Sequence, residues 1–447
     1  MLPAVPTSTE PSQGAPGKRS GTSGLPSGLP VLGLGGTVDY VVDWDPATVQ
    51  TLVDRYGITV DELHRYAPID DERSLLVCLL AFVATGTGGE RFVASPRVVR
   101  TFAAHFPTRV DLGGTCVRAA LAMDRLGLPS LVHLVSIDDD VRRLLPAGVA
   151  HVCSAVADST DPHLIVQFAA GSSVVLADTR ITAAHPNRVI LANDVPNELM
   201  ILSEQLDTLV ADAPVVLLSG FNTMKDPVLV ADRLDRLRRV VAQVPAGGVV
   251  LYEDGGFHDR AVGAQVRAGV AGLVELFSMN EDEWQGHLGR AVDLLDPADV
   301  RRGLRELQAL VPARTLVVHT KFWSVAVGAD AARWAPVLRG GITMASTRFC
   351  HGDTFTPADH RRVGAGPPHP DGAALARELN ADAATELWCE PGLLLVTDHP
   401  HTVGLGDSFV GGMVGALVTA APAAESSPGV DFSSIQDRGV RRQGDSG

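Results

Sequence analysis

Short, nearly continuous aliphatic runs recur along this chain, and stretches with apolar residues at helical spacing separate them. Pro30–Leu34, Leu131–Val135, Leu164–Phe168, Val215–Leu218, Gly248–Tyr252, Leu273–Phe277, Thr315–His319 and Leu393–Thr397 read as strands. Asp226–Val244 and Asp296–Leu310 read as amphipathic helices between them. Strands that are apolar throughout, rather than alternating, predict a parallel sheet covered by helices on both faces. Such sheets bind ligands at the carboxyl ends of their strands. The ends of the chain break the pattern. Residues 1–30 and 422–447 are rich in Pro, Ser, Gly and charge and read as disordered tails, leaving 31–421 as the folded unit.

The bulk properties narrow the function. Apolar residues make up 45% of 447, enough for a large core. A net charge of −15 argues against a nucleic-acid surface, while a local nucleotide site remains compatible, since a metal can offset the charge. The five cysteines (78, 116, 153, 350, 389) lack C-x-x-C spacing, so neither a disulfide framework nor a zinc site is expected. The densest apolar run, Leu75–Val83, is too short to span a membrane, and the N-terminus does not read as a secretory signal. The expectation is a cytoplasmic enzyme, a monomer or small homo-oligomer, with small-molecule partners and neither nucleic acid nor membrane.

Polar groups follow the strand candidates with suspicious regularity. Asp39 comes after Gly33-Leu34-Gly35-Gly36, Asn222 after Val215–Leu218, Glu253 after Val249–Tyr252, and Asn280 and Glu283 after Leu273–Phe277. His319 closes its strand, and Gly404-Leu405-Gly406-Asp407 follows Leu393–Thr397. One such coincidence is ordinary turn chemistry; the series predicts one cleft. In the last segment, glycines before a buried helix let backbone amides converge on an anion. Asp407 is then placed to take a proton from a hydroxyl while Gly404–Gly406 hold the transferred group, as in a kinase. Alone, the segment is equally a helix N-terminus with an acidic residue. Asn280-x-x-Glu283 suits Mg²⁺, which takes few protein carboxylates, and equally suits a capping box; the two are compatible. Asp39 can accept from vicinal sugar hydroxyls, and Gly113-Gly114, before the helix Cys116–Leu126, permits close approach, although glycine pairs also mark tight turns. His351-Gly-Asp353 and Asp398–His401 fit no ligand spacing and read as loops.

In order and spacing these motifs resemble the ADP-dependent glucokinases and phosphofructokinases, a branch of the ribokinase-like fold. The resemblance runs over about 31–420 through GLGGTVDYVV (33–42), LGGTCVRAALAMDRLG (112–127), HPNRVILANDVPNE (185–198), LLSGFN (217–222), FSMNEDEW (277–284), VVHT (317–320) and TVGLGDSFVGG (402–412). It implies a ribokinase-like three-layer α/β/α sandwich with a smaller β-rich lid, drawn from about 43–110 and 160–190. It makes Asp407 the base, Gly404 and Gly406 the anion hole, Asp39, Gly113 and Gly114 the sugar contacts, and Glu283, Glu253 and Asn280 the Mg²⁺ site. Arg188, Asn222, His319 and Leu405 become nucleotide contacts. Two positions depart from the family pattern: Leu251 stands where its H-x-E motif has His, and Gly35 where an asparagine is usual. Three readings stay open: transfer from ADP to glucose or fructose-6-phosphate, an ATP-using kinase of a nucleoside or modified sugar, and a non-catalytic binding protein on this scaffold.

Overall fold

The computed structural model describes residues 26–159, 161–257, 259–381, 386–398 and 400–420. Apart from 26–30, the expected tails lie outside the described residues. The described strands are, in chain order, β1 (Val31–Leu32), β2 (Thr37–Asp43), β3 (Gly89–Phe92), β4 (Arg109–Gly113), β5 (Ser130–Leu134), β6 (Val149–Cys153), β7 (His163–Phe168) and β8 (Ser173–Val175). They continue as β9 (Arg180–Thr182), β10 (Asn187–Ala192), β11 (Val215–Leu218), β12 (Val249–Glu253), β13 (Leu276–Asn280), β14 (Thr315–His319), β15 (Trp323–Gly328) and β16 (Leu387–Pro391).

A nine-stranded sheet has the order β16-β15-β14-β13-β12-β11-β1-β5-β6. It is parallel from β6 to β14, with two antiparallel strands, β15 and β16, at one edge. Along β11, Val216 and Leu218 join one buried cluster and Val215 and Leu217 another. Both faces are therefore covered, which is why these strands are aliphatic throughout. The fold is the mixed α/β sandwich that the pattern predicts.

A second, five-stranded sheet has the order β3-β10-β7-β2-β4. Here one face is packed and the other is not. Leu164, Val166 and Phe168 of β7 pack in a cluster with helices Pro46–Tyr56, Glu72–Thr85 and Pro96–Ala103, while His163, Ile165 and Gln167 border cavities. Period-two alternation thus aims every other residue at the space between the two sheets. Leu75–Val83 proves to be the middle of the buried helix Glu72–Thr85. Among the described residues no helix is long and apolar enough to cross a membrane.

Several element boundaries differ from the sequence reading. Leu393–Thr397 is not a strand: the edge strand β16 precedes it, and Leu394 and Val396 are exposed at 44% and 90%. Its aliphatic residues lack the buried faces that the composition implied. Leu273–Phe277 slides to β13, Leu276–Asn280, so Asn280 ends the strand and starts the next helix. Asp39 does not follow β1 as a rim loop; it lies within β2, in the second sheet.

Candidate active site

Helix Leu405–Ala420 carries Asp407 in its first turn, and Gly404 precedes it at φ +71°, a conformation that favours glycine. The helix is held by backbone contact. A Cβ at Gly412 would overlap the Gly340 carbonyl of helix Ala335–His351, and one at Gly411 would lie 2.8 Å from the Ala119 carbonyl of helix Thr115–Asp124. Wedged between two helices, the segment cannot slide, which fixes the carboxylate. Oδ1 of Asp407 accepts from the Thr115 hydroxyl at 2.8 Å, and Oδ2 lies 3.8 Å from Nε of Arg118.

On one side of Asp407 is a cavity of about 280 Å³ bordered by Asp39, Glu90, Arg118, His163 and Arg188. Asp39 is buried; Oδ1 accepts from Thr37 Oγ1 at 2.8 Å and Oδ2 from Nη2 of Arg118 at 3.0 Å. Gly113 is glycine because this carboxylate lies over it: a Cβ there would sit 2.7 Å from Oδ1 of Asp39. Gly114, at φ +85°, approaches Gly36, where a Cβ would be 3.0 Å from the Gly36 Cα. The glycine pair thus serves close packing around Asp39, and of the two only Gly114 borders the cavity. Burial alone would lower the His163 pKa, but Asp194, hydrogen-bonded at 3.1 Å, together with Asp39 holds it up at about 9.

On the other side a cavity of about 450 Å³ keeps Arg188, Asn222, Gly404 and Asp407 on its wall and adds Glu253, Asn280 and Glu283. Leu405 and Gly406 border it too. Asn280 and Glu283 do form a capping box: the Asn280 side chain accepts from the amides of Asp282 and Glu283, and Glu283 Oε2 accepts from the Asn280 amide at 2.8 Å. Burial and the neighbouring Glu253 push the Glu283 carboxyl up to about 9. Oε1 of Glu253 meets Nε2 of His319 at 3.0 Å, while its Oε2 is buried without a partner. Close buried carboxylates with a spare oxygen are costly unless a cation joins them. Hard oxygen donors suit Mg²⁺, so this donor set fits such an ion. Among the described residues no three His, Cys, Asp or Glu side chains converge closely enough to enclose an ion. His319, expected as a nucleotide contact, does not line this cavity. It is buried, stacked on Phe409 with ring centroids 4.3 Å apart and tied to Glu253, and so supports the wall.

A family model describing the ADP-specific phosphofructokinase/glucokinase conserved region matches residues 30–293, more than half of the chain. The chain belongs to that family. Its members are ADP-dependent sugar kinases, enzymes that transfer a phosphoryl group to an alcohol. No curated protein sequence matches the chain. Among solved structures, a hypothetical ADP-dependent phosphofructokinase from Pyrococcus horikoshii OT3 is 18% identical, with 88% of this chain and 98% of that one covered at a TM-score of 0.71. A phosphofructokinase from the same organism, solved with AMP, is 17% identical over 88% and 99% at 0.71. An ADP-dependent kinase in complex with fructose-6-phosphate and ADPβS is 13% identical over 87% and 93% at 0.64. At these identities the structures show a shared fold.

The two departures from the family pattern have local explanations. Leu251 of β12 packs in the core, and an imidazole reaches Glu253 instead from β14, through His319. At Gly35 a side chain would overlap Oδ1 of Asn197, whose amide nitrogen donates to the Gly36 carbonyl at 3.0 Å. An amide therefore borders the smaller cavity from a different segment. Sequence reasoning missed Thr115, Arg118, Glu90 and His163. For Arg118 a signal existed: it is a lone charge in the small and apolar helix segment Thr115–Met123.

Proposed function

We propose that this ADP-dependent sugar kinase binds nucleotide in the larger cavity and acceptor in the smaller, with Asp407 as the base between them. The observation that carries the reading is that Asp407, Gly404, Arg188 and Asn222 border both cavities. The acceptor hydroxyl loses its proton to Asp407 and its oxygen bonds to the terminal phosphorus of ADP. The bond from that phosphorus to the bridging oxygen breaks, and AMP leaves with the electron pair. Thr115, donating to Oδ1, holds the carboxylate so that Oδ2 faces the acceptor. The amides at Gly404–Gly406 stabilise the charge that develops on the transferred group, and Arg188 contacts it from the second sheet. Glu253, Asn280 and Glu283 would hold Mg²⁺, which supplies charge screening to the phosphates when bound. The second sheet, carrying Asp39, Glu90, His163 and Arg188, acts as a lid whose closure excludes water and limits nucleotide hydrolysis.

Asp407→Asn tests this. The amide keeps the shape and cannot accept the proton, so turnover falls by about 10²- to 10⁴-fold while the ADP dissociation constant stays within a few-fold. Near-normal turnover would remove Asp407 as the base. A panel of ADP, ATP and GTP against several hexoses, read by product formation, identifies the donor.

A further inference from the structure

The cleft-facing residues of the second sheet line up in rows across its strands. β2 and β7 run parallel, with Asp39 beside His163, Val41 beside Ile165 and Asp43 beside Gln167. β10 sets Ile190 beside Ile165 and Arg188 beside Gln167. Alternate residues of a strand share a face, so the rows run polar, apolar, polar. Asp39 and His163 form the first, Val41, Ile165 and Ile190 the second, and Asp43, Gln167 and Arg188 the third. At a rise of about 3.3 Å per residue the two polar rows stand roughly 13 Å apart, farther than one hexose ring spans. The first row borders the smaller cavity, where the acceptor is placed. A single ring there leaves the third row without a partner.

That third row borders a further cavity of about 580 Å³. The cavity shares Arg188 and Val403 with the smaller one, so the two spaces meet beside the loop that leads into Gly404. Half-buried Trp44, next after β2, lies on its wall, and its backbone amide donates to the Gln167 carbonyl at 2.8 Å. Thr402 borders it from the other side of the cleft. Among the described residues the side chains of Asp43, Gln167 and Thr402 make no hydrogen bond, so their polar atoms are open to a ligand. An amide set between a carboxylate and a guanidinium offers both donors and acceptors with little net charge. That row suits the hydroxyls of an uncharged ring better than an anion, which Asp43 would repel. Trp44 supplies aromatic surface against which the C–H face of such a ring leaves water.

We propose that this cavity holds a second, uncharged sugar ring of the acceptor, so that the preferred acceptor is a disaccharide or similar two-ring glycoside rather than a free hexose. The inference rests on the kinase reading of the same cleft. The inner ring brings its hydroxyl to Asp407, the glycosidic link passes Val403 and the apolar row, and the outer ring meets Asp43, Gln167 and Trp44.

Two measurements test it on the full chain. In the first, kcat/KM is compared for glucose, methyl glucoside and the α- and β-linked disaccharides of glucose. The wild type is expected to favour a disaccharide by about 10-fold or more, with methyl glucoside, which lacks the second ring, behaving like glucose. Gln167→Ala and Asp43→Asn should each shrink the disaccharide-to-glucose ratio by about 5- to 30-fold and leave kcat/KM for glucose within about threefold. Trp44→Ala should shrink it as well, and Trp44→Phe should recover part of the loss. In the second, calorimetry without nucleotide should show the disaccharide bound more weakly by the Gln167 and Asp43 variants by a similar factor. A wild type that turns over glucose or methyl glucoside as well as every disaccharide overturns the proposal, as do variants that leave the ratio unchanged. A saccharide that binds without competing with glucose also overturns it, because the ring would then belong to a separate ligand. If Trp44→Ala fails to fold, the Gln167 and Asp43 variants carry the test. Absence of transfer to every sugar would count against the kinase reading, whereas disaccharide binding weakened in those variants would still stand for the cavity.

Discussion

Replacing Gly113 by alanine adds one methyl group directly beneath the Asp39 carboxylate. Its Cβ would strike Thr37 Oγ1 and Asp39 Oδ2 and lie 2.7 Å from Oδ1, where ordinary contact begins at 3.4 Å, so Asp39 must withdraw by more than about 0.7 Å and Thr37 must turn away. Such a shift strains the Thr37 and Arg118 bonds to Asp39, at 2.8 and 3.0 Å. A hydrogen bond to a charged group contributes about 1.5–3 kcal/mol, and overpacking costs about 1–3 kcal/mol when the neighbours are side-chain ends that can move. A total of about 2–4 kcal/mol follows, visible as a fall in Tm of several degrees. The catalytic signature is sharper. Arg118 loses its anchor, so kcat/KM for the acceptor falls by about 30-fold or more, while ADP affinity, measured by calorimetry, stays within a few-fold because Asn280 and Glu283 lie on the far side of Asp407. In an Asp39→Ala background the same alanine should cost less, since the overlapping carboxylate is gone and the two changes act on one contact. Unchanged acceptor kcat/KM in a folded Gly113→Ala protein would show that the Asp39–Arg118 pair does not shape the acceptor side.

Two further outcomes follow from the geometry. Glu283 has an ordinary carboxyl pKa of 4.5 and is raised to about 9 in the fold, so the folded state holds the proton more tightly. The stability this gives is complete below about pH 4.5 and is lost as pH rises through 9. Metal-free protein should therefore lose Tm between about pH 5 and 9, Glu283→Gln should flatten that slope, and Mg²⁺ should release protons on binding; a slope identical in the variant refutes the assignment. At Gly412, a Cβ would strike the Gly340 carbonyl and lie 2.6 Å from the Met344 Cβ, so Gly412→Ala should cost about 2–4 kcal/mol by denaturant unfolding and lower kcat with it, whereas a neutral alanine would mean the two helices can separate freely.

What could be read from the sequence follows the physics of burial. β11, β12 and β14 were legible because both faces of the sheet are covered, so nearly every residue had to be apolar. β15 escaped notice although it is buried throughout, because only a short turn separates it from β14 and the pair is antiparallel. Leu393–Thr397 has strand composition without strand neighbours, and composition alone cannot tell the two apart. Glycine and acid motifs located Asp407, Asn280, Glu283 and Asp39, because backbone approach and buried charge leave local marks. Arg118 left a weaker one. An arginine in a helix is ordinarily solvated, and only the tertiary structure places this one between two aspartates from opposite ends of the chain.

The two sheets divide the residues of the cleft unequally. Glu253, Asn280, Glu283 and Asp407 belong to the large sheet and the helices on it, whereas Asp39, Glu90, His163 and Arg188 sit on strands of the small one. On the proposed reading, mutations drifting through the small sheet away from Arg188 can retune which compound is accepted without disturbing the machinery that moves the phosphoryl group. For protein engineering this gives a natural library boundary: β2, β3 and β7 can be varied while Arg188 of β10, β12, β13 and the Asp407 helix are held constant.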